Sequence, residues 1–521
     1  MAKYKPVIGL EVHVELNTTA KMFCDSLNDP DETRPNINVC PICLAHPGTL
    51  PVINIEAVNK TVKVGLALGS EINELSWFER KNYFYTDLPK GYQISQYEKP
   101  FGEGGTLSLS NGREIRIRRV HLEEDTGRLL HMAHGKSHMA DEELAISHKP
   151  SAISYVDFNR AGVPLMELVT EPDIESGREA REFGEEFRLL LRYLDVSRAD
   201  MEKGQLRIEA NISLSADADI RGKKISVNPC MNQRQSALLG TKVEIKNLNS
   251  FKACERAIDY EIKRQAEVLE NGEKVVQETR GWDESLGETF SQRQKEESHD
   301  YRYFPEPDLP PVRLDRSQID FIKSELPELP ARRRERLANE YSITPKDAAV
   351  FTANKELGDY FENVASELIS WAEDTNEIKS KNKILKLAAN YLITELQKLV
   401  FESGQAMGEN KITPEDFAEL MVLIHTATVS SSAAQTILKV MFETGADPNH
   451  IMAEKNLKQL SDTGEIKKAA VEIIAQNPKA AADYKKGKAE SLKFLVGQLM
   501  KATKGRANPQ IGEEVLKKLL D

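Results

Sequence analysis

The segment Ile8-Gly9-Leu10-Glu11-Val12-His13-Val14-Glu15-Leu16 constrains this chain more than any other. Apolar residues fall on every second position, and successive side chains on a strand point to opposite faces. The pattern describes a β-strand with one apolar face (Ile8, Leu10, Val12, Val14, Leu16) and one face carrying Glu11, His13 and Glu15. Like charges on one strand face repel unless something positive lies between them, and a divalent cation would fill that role.

Other segments repeat the design. Leu206–Leu214 sets an apolar face against Arg207, Glu209, Asn211 and Ser213, and Lys242–Asn247 places Glu244 and Lys246 on its polar side. Ile115–Asp125 alternates too, but the pattern weakens at Arg119, so either Glu123 or Glu124 faces the same way as the others. One reading is an antiparallel sheet with one wet face. Because the wet faces hold Glu, His, Asn, Lys and Arg rather than Thr and Ser, the sharper reading is a charged concave sheet. Such a sheet would hold Mg²⁺ or Mn²⁺ and a phosphate-bearing substrate, since hard cations take carboxylate oxygens and share phosphates with the substrate.

A length of 521 residues implies two to four domains. No run of about 18 apolar residues is present, so no membrane span is expected. Met1-Ala2-Lys3-Tyr4-Lys5-Pro6 leads directly into the first strand, which leaves no room for a signal peptide and points to the cytoplasm. Five cysteines (Cys24, Cys40, Cys43, Cys230, Cys254) do not make a disulfide framework for so long a chain. The net charge of −12 argues against broad nucleic-acid binding, yet Glu454–Asp521 carries fourteen Lys and Arg against nine Asp and Glu. That C-terminal excess suits either a phosphate backbone or a solvated helical surface.

The strands are not separated by regular helices, so the fold class is α+β with a largely antiparallel sheet. Asp173–Leu194 and Phe251–Asn271 read as helices, the second stopped at Asn271-Gly272. The run Tyr301-Arg302-Tyr303-Phe304-Pro305-Glu306-Pro307-Asp308-Leu309-Pro310-Pro311 breaks helix and ladder alike. Beyond Ser317 the pattern is helical. Thr413-Pro414 opens one helix and Ser430-Ser431-Ser432 caps another that stops at Gly445. The expected domains are an α+β sheet domain over residues 1–295, an all-α block over 296–410 and a small all-α tail over 411–521.

No phosphate loop and no Gly-x-Ser-x-Gly elbow is present, so any ATP is held by other means. Cys40-Pro41-Ile42-Cys43 is half of a zinc site; upstream stands only Cys24, with Ser26 where a partner would fall. His46 as fourth ligand, or a loop with free thiols, both remain open. Arg80–Gln93 mixes aromatics with Lys, Asn and Gln, suiting either a stacking surface with Lys81 as a phosphate partner or core packing of the tyrosines.

Five dense stretches, taken in order, resemble the B-subunit family of the bacterial aspartyl/glutamyl-tRNA amidotransferases. They are Ile8–Leu16, Arg80–Tyr85, His121–Asp125, Glu244–Phe251 and Asp300–Asp308, and the similarity runs from Val7 to the C-terminus. The resemblance implies a cradle with a glutamine synthetase-like core that uses ATP and Mg²⁺. It would phosphorylate the side-chain carboxylate of Glu on tRNA(Gln) or Asp on tRNA(Asn). Ammonia made from glutamine by the A subunit would then displace phosphate. The small C subunit would join the other two, and the helical parts would hold the misacylated tRNA. The resemblance further implies metal ligands at His13, Glu124 and Glu209, with Glu11 and Glu123 close by as catalytic or water-mediated ligands. Lys81, Lys246 and Asn247 would contact ATP phosphates or the acyl phosphate. The family's four-cysteine version holds a structural zinc; here Ser26 replaces a ligand.

The residues suit such chemistry on their own terms: activating a carboxylate with ATP brings negative groups together, which Mg²⁺ and lysines offset. A tRNA-binding scaffold without chemistry is the alternative from another class, but a scaffold has no need of clustered Glu and His. A free-standing amide ligase for a small substrate leaves the last 200 or so residues unexplained.

Overall fold

The computed structural model describes residues 4–131, 154–216, 240–294, 301–458, 463–485, 488–503, 507 and 509–520. Cys230 lies outside them, as does the boundary expected at 295.

The alternating segment is the strand Tyr4–Glu15, near the middle of a ten-stranded sheet. On one side of it lie Leu206–Ala216, Val243–Leu248, Glu278–Asp283 and Glu288–Gln294; on the other lie Pro164–Thr170, Glu114–Glu124, Gly102–Glu103 and Glu71–Ile72. Thr106–Ser108 also pairs with Glu114–Glu124. The ladders are antiparallel except that between Val243–Leu248 and Glu278–Asp283. The fold is thus α+β with a largely antiparallel sheet, followed by helices.

Parity explains which face is which. Ile8, Leu10, Val12 and Val14 are fully buried and pack with Ile208, Ala210 and Ile212 under two helices, Gly177–Tyr193 and Phe251–Glu270. Phe183, Phe187 and Leu191 of the first helix fill this core, each contributing about 1.5–3 kcal/mol by burial. The helices meet closely because Gly184 lacks a side chain: a Cβ there would stand 2.7 Å from the Phe251 ring. The first helix begins four residues later than the expected Asp173. Ile174 is still bridged to Ile8 of the sheet and Asp173 is clamped by Arg116, so the turn starts only where Ser176 accepts the Glu179 N–H. The second helix is capped by Ser250 and ends at Asn271, with Gly272 at φ +77°.

The chain divides into two compact units, Met1–Leu329 and Pro330–Asp521. Ile319, Ile322, Leu326 and Leu329 pack on the first core, so the first unit extends past the proline-rich run. The second unit holds two cores. One gathers Leu337, Phe361 and Leu385 with Phe417, Leu420, Leu438 and Ile451; the other runs from Ile466 to Leu520. The hydrophobic division therefore falls between Ile451 and Ile466 rather than at the expected 410, because Pro414–His425 and Ser431–Thr444 turn their apolar faces onto the preceding helices. Their caps are as expected: Thr413 accepts the Asp416 N–H, Ser430 accepts the Ala433 N–H, and Gly445 closes at φ +73°.

Candidate active site on the polar face of the sheet

Antiparallel register brings the polar side chains into rows. His13 lies opposite Glu167, which lies opposite His121 on the next strand. Glu167 Oε2 stands 3.4 Å from His13 Nε2 and 3.3 Å from His121 Nε2. Glu123 completes this group, 3.9 Å from His13, and Ser95 Oγ donates to it at 2.9 Å. Lys81 Nζ, on the strand Glu79–Asn82, lies 4.0 Å from the same carboxylate. Ligand atoms of His13, Glu123 and Glu167 all fall within 4.8 Å of one another.

Two residues along the first strand, Glu11 lies opposite Glu209. With Glu244 they form a second set of ligand atoms within 4.8 Å. Asn211 Nδ2 donates to Glu11 at 2.8 Å, and Thr279 Oγ1 donates to Glu244 at 2.7 Å. Lys246 Nζ sits 2.9 Å from Glu209 and 3.6 Å from Glu244. Three carboxylates against one lysine leave an excess of negative charge, the condition a divalent cation relieves. Glu11 and Asn211 also line a cleft of about 660 Å³, together with Gly9, Arg118, Ser213 and Lys242.

The electrostatics follow from burial and neighbours. Burial opposes charge on His13, but the hydrogen bond and charge of Glu167, helped by Glu209 and Glu123, raise its pKa to about 9. Burial would raise Glu167, yet His121 and His13 hold its carboxyl well below the usual range. Glu11 is raised by burial first and then by Glu167 and Glu209. Burial would lower Lys81, but Glu123 and Glu167 outweigh it and keep the ammonium charged.

A bulge settles the choice left open between Glu123 and Glu124. Ile115 and Ile117 are buried, then Val120 and Leu122; the parity changes where the ladder to Pro164–Thr170 shifts register. Glu123 consequently faces the site with His121. Glu124, expected beside His13, is not brought to it: its carboxylate takes Lys90 at 2.6 Å and the Ile94 N–H at 3.0 Å. Asn247 stands exposed at φ +61°, at the irregularity in the ladder to Leu206–Ala216. Glu167 was not singled out by the sequence. Its signal is a lone carboxylate in the apolar run Leu165-Met166-Glu167-Leu168-Val169, which a buried strand tolerates only with a partner.

The cysteines converge as well. Sγ atoms of Cys24, Cys40 and Cys43 lie within 4.8 Å of one another. Ser26 Oγ is 3.9 Å and Lys21 Nζ 3.8 Å from Cys43 Sγ. Hydrogen bonding from Cys24, the Cys40 N–H and the Lys21 charge bring the Cys43 thiol down to about 4.

Comparison with known proteins decides the family. Residues 6–320 match the model of the GatB/GatE catalytic domain, and residues 374–520 match the GatB domain. The chain belongs to the GatB family. It is 43% identical to a protein of Carboxydothermus hydrogenoformans over 99% of both chains. It is 44% identical to one of Persephonella marina over 99% of this chain and 100% of that one. It is also 44% identical to one of Thermotoga maritima over 100% of this chain and 99% of that one. All three are named as the B subunit of an aspartyl/glutamyl-tRNA(Asn/Gln) amidotransferase.

Proposed function

We infer that this chain is the B subunit of a tRNA-dependent amidotransferase, a ligase that works within a complex. It activates the side-chain carboxylate of Glu on tRNA(Gln), or Asp on tRNA(Asn), with ATP, and amidates it with glutamine-derived ammonia. The observation that carries this reading is the row of opposed carboxylates, histidines and lysines on one sheet face, in a chain that matches the GatB family from end to end.

The chemistry runs in two balanced steps. An oxygen of the substrate carboxylate forms a bond to the γ-phosphorus of ATP as the bond to ADP breaks, giving an acyl phosphate. Ammonia then adds to the acyl carbon, the carbon–oxygen bond to phosphate breaks, and the amine sheds a proton. Lys81 and Lys246, held charged by the surrounding carboxylates, offset the negative charge that the first step brings together. His13, Glu123 and Glu167 would hold one hard cation, and Glu11, Glu209 and Glu244 offer a second oxygen set. A bound Mg²⁺ supplies charge neutralisation and in-line alignment. Glu124 is assigned to positioning Lys90, and Asn247 to a contact with phosphate at the edge of the face.

The partners in this reading are the A subunit, which supplies ammonia, the small C subunit, and the misacylated tRNA, the last held by the basic C-terminal helices. No helix among the described residues is long and apolar enough to cross a membrane, and the reaction belongs with cytoplasmic translation. Three thiols and a serine hydroxyl do not complete the four-ligand set of a structural zinc, so no role is derived from one.

The test supplies ATP, Mg²⁺ and glutamine to the chain assembled with its partner proteins. Glu-tRNA(Gln), Gln-tRNA(Gln) or uncharged tRNA is added, and phosphate release is followed. Turnover confined to the misacylated tRNA supports the reading; equal turnover without tRNA, or none with it, rejects it.

A further inference from the structure

An enzyme that activates an aminoacyl side chain must also hold the nucleoside to which that group is esterified. The carboxylate of a glutamyl ester and the adenine of the same nucleoside are only about 10 Å apart, a handful of bonds. Base-binding surface must therefore begin close to Lys81 and Glu123. On that side of the site stands a connected set of rings, supplied by the loop after the strand Glu79–Asn82, by the segment leading into Phe304–Pro305, which pairs with that strand, and by Tyr97. Lys81 Nζ lies 5.4 Å from the centre of the Tyr301 ring. Tyr301 meets Tyr83 edge-on at 6.1 Å, and Tyr83 meets Tyr85 edge-on at 6.0 Å. In the other direction Tyr303 stacks on Tyr97 at 4.6 Å, with the Arg119 guanidinium 5.6 Å from the Tyr97 ring.

The inner rings are partly buried, but the outward end is bare: Phe84 is 81% and Tyr85 60% exposed. Their loop is held in place. The Leu88 N–H donates to the Tyr85 carbonyl at 3.1 Å, and the Gly127 N–H donates to the Asp87 carbonyl at 2.8 Å. The Phe84 ring lies over Gly91, where a Cβ would approach to 3.0 Å. Two sequence-adjacent aromatic side chains exposed on a fixed loop, with Tyr85 linked edge-on through Tyr83 and Tyr301 to Lys81, offer ring faces on which a nucleobase stacks.

We propose that Tyr85 and Phe84 form the stacking platform for the 3′-terminal adenosine of the substrate tRNA, with the inner tyrosines leading the aminoacyl group toward Lys81 and Glu123. This inference rests on the function proposed above. Stacking recognises the ring face and not its hydrogen-bonding edge, so the platform tolerates the shared 3′ end of either tRNA, and other parts choose between them. Loss of one such platform weakens binding roughly 5- to 150-fold.

The test uses the assembled complex with the double variant Phe84→Ala/Tyr85→Ala. Both side chains are exposed, so the fold is retained. KM for Glu-tRNA(Gln) is expected to rise at least about tenfold, while KM for ATP is unmoved and Tyr85→Phe keeps most of the affinity. In parallel, tRNA(Gln) ending in 2-aminopurine riboside reports stacking directly: its fluorescence is quenched on binding to the natural chain and not to the double variant. Unchanged KM with undiminished quenching overturns the proposal. So does a rise in KM for ATP alone, which would assign the rings to the adenine of the nucleotide. If the natural complex turns over no misacylated tRNA, the function proposed above fails, and the quenching still decides this inference.

Discussion

The two units of this chain treat charge in opposite ways. The first buries Lys21, His121, Glu123, Glu124, Asp125, Glu167, Glu244 and Glu261 beside an extensive apolar core. In the second, among the described residues, Arg333 is the one buried charged side chain, held by Asp359 and Glu362. Burying ionisable groups is costly unless they are paired. A unit that does so repeatedly, with His121, Glu123, Glu167 and Glu244 on one sheet face, is built around chemistry, whereas one that keeps its charges in water is built to present a surface. The difference teaches where each kind of substitution should act.

The largest expected effect lies on the sheet. Glu209→Ala removes a carboxylate opposite Glu11 and leaves Lys246 with Glu244 as its remaining ion-pair partner. Tyrosine-ring and tail contacts are untouched, so tRNA binding persists while tRNA-dependent ATP turnover falls by at least about two orders of magnitude. Retained turnover would break the comparison at its root. Next comes Arg333→Ala, which removes the buried guanidinium and leaves Asp359 with Lys355 alone and Glu362 with Arg336 alone. It should cost the second unit about 2 kcal/mol, read as earlier denaturant unfolding of the helices, and leave the KM for ATP alone.

Reversing charge in the tail should act on binding only. Lys468 and Lys493 are exposed on separate helices. Lys468→Glu with Lys493→Glu should weaken tRNA binding several-fold and flatten its salt dependence by about one unit per lost phosphate contact. Loss of kcat instead would show that the tail does more than bind.

The smallest effect concerns pH in metal-free protein. His13 has a folded pKa of about 9, above its ordinary 6.5. Its pairing therefore stabilises fully below pH 6.5 and is lost as pH rises through about 9. Glu167, depressed by the same contact, stabilises above its ordinary 4.5 and loses this only as pH falls toward its folded value. The first unit should melt a few degrees lower at pH 9.5 than at 6.5, and Glu167→Gln should flatten that slope. An unaltered slope in the variant would show that the ion pair contributes nothing.

Much of this was legible along the chain because it is local. Strand faces follow from period-two alternation, and the caps at Thr413 and Ser430 follow from side chains that satisfy nearby N–H groups. What escaped is what depends on register between distant segments. Glu167 acquires its meaning from His13 and His121, each on a different strand. The bulge that turns Glu123 toward the site and Glu124 toward Lys90 showed in the sequence only as a weakened pattern at Arg119. That the hydrophobic clusters do not part at 410 has a related reason: the faces of Pro414–His425 and Ser431–Thr444 show amphipathic helices, not which helices they cover.

The central claim is that the substrate carboxylate itself is phosphorylated. Glu-tRNA(Gln) carrying ¹⁸O in the side-chain carboxylate tests it most directly, with the complete complex, ATP, Mg²⁺ and glutamine. The account predicts one ¹⁸O atom in the phosphate released per Gln-tRNA(Gln) formed, and none when Glu209→Ala blocks the reaction. Unlabelled phosphate accompanying full amidation would contradict it.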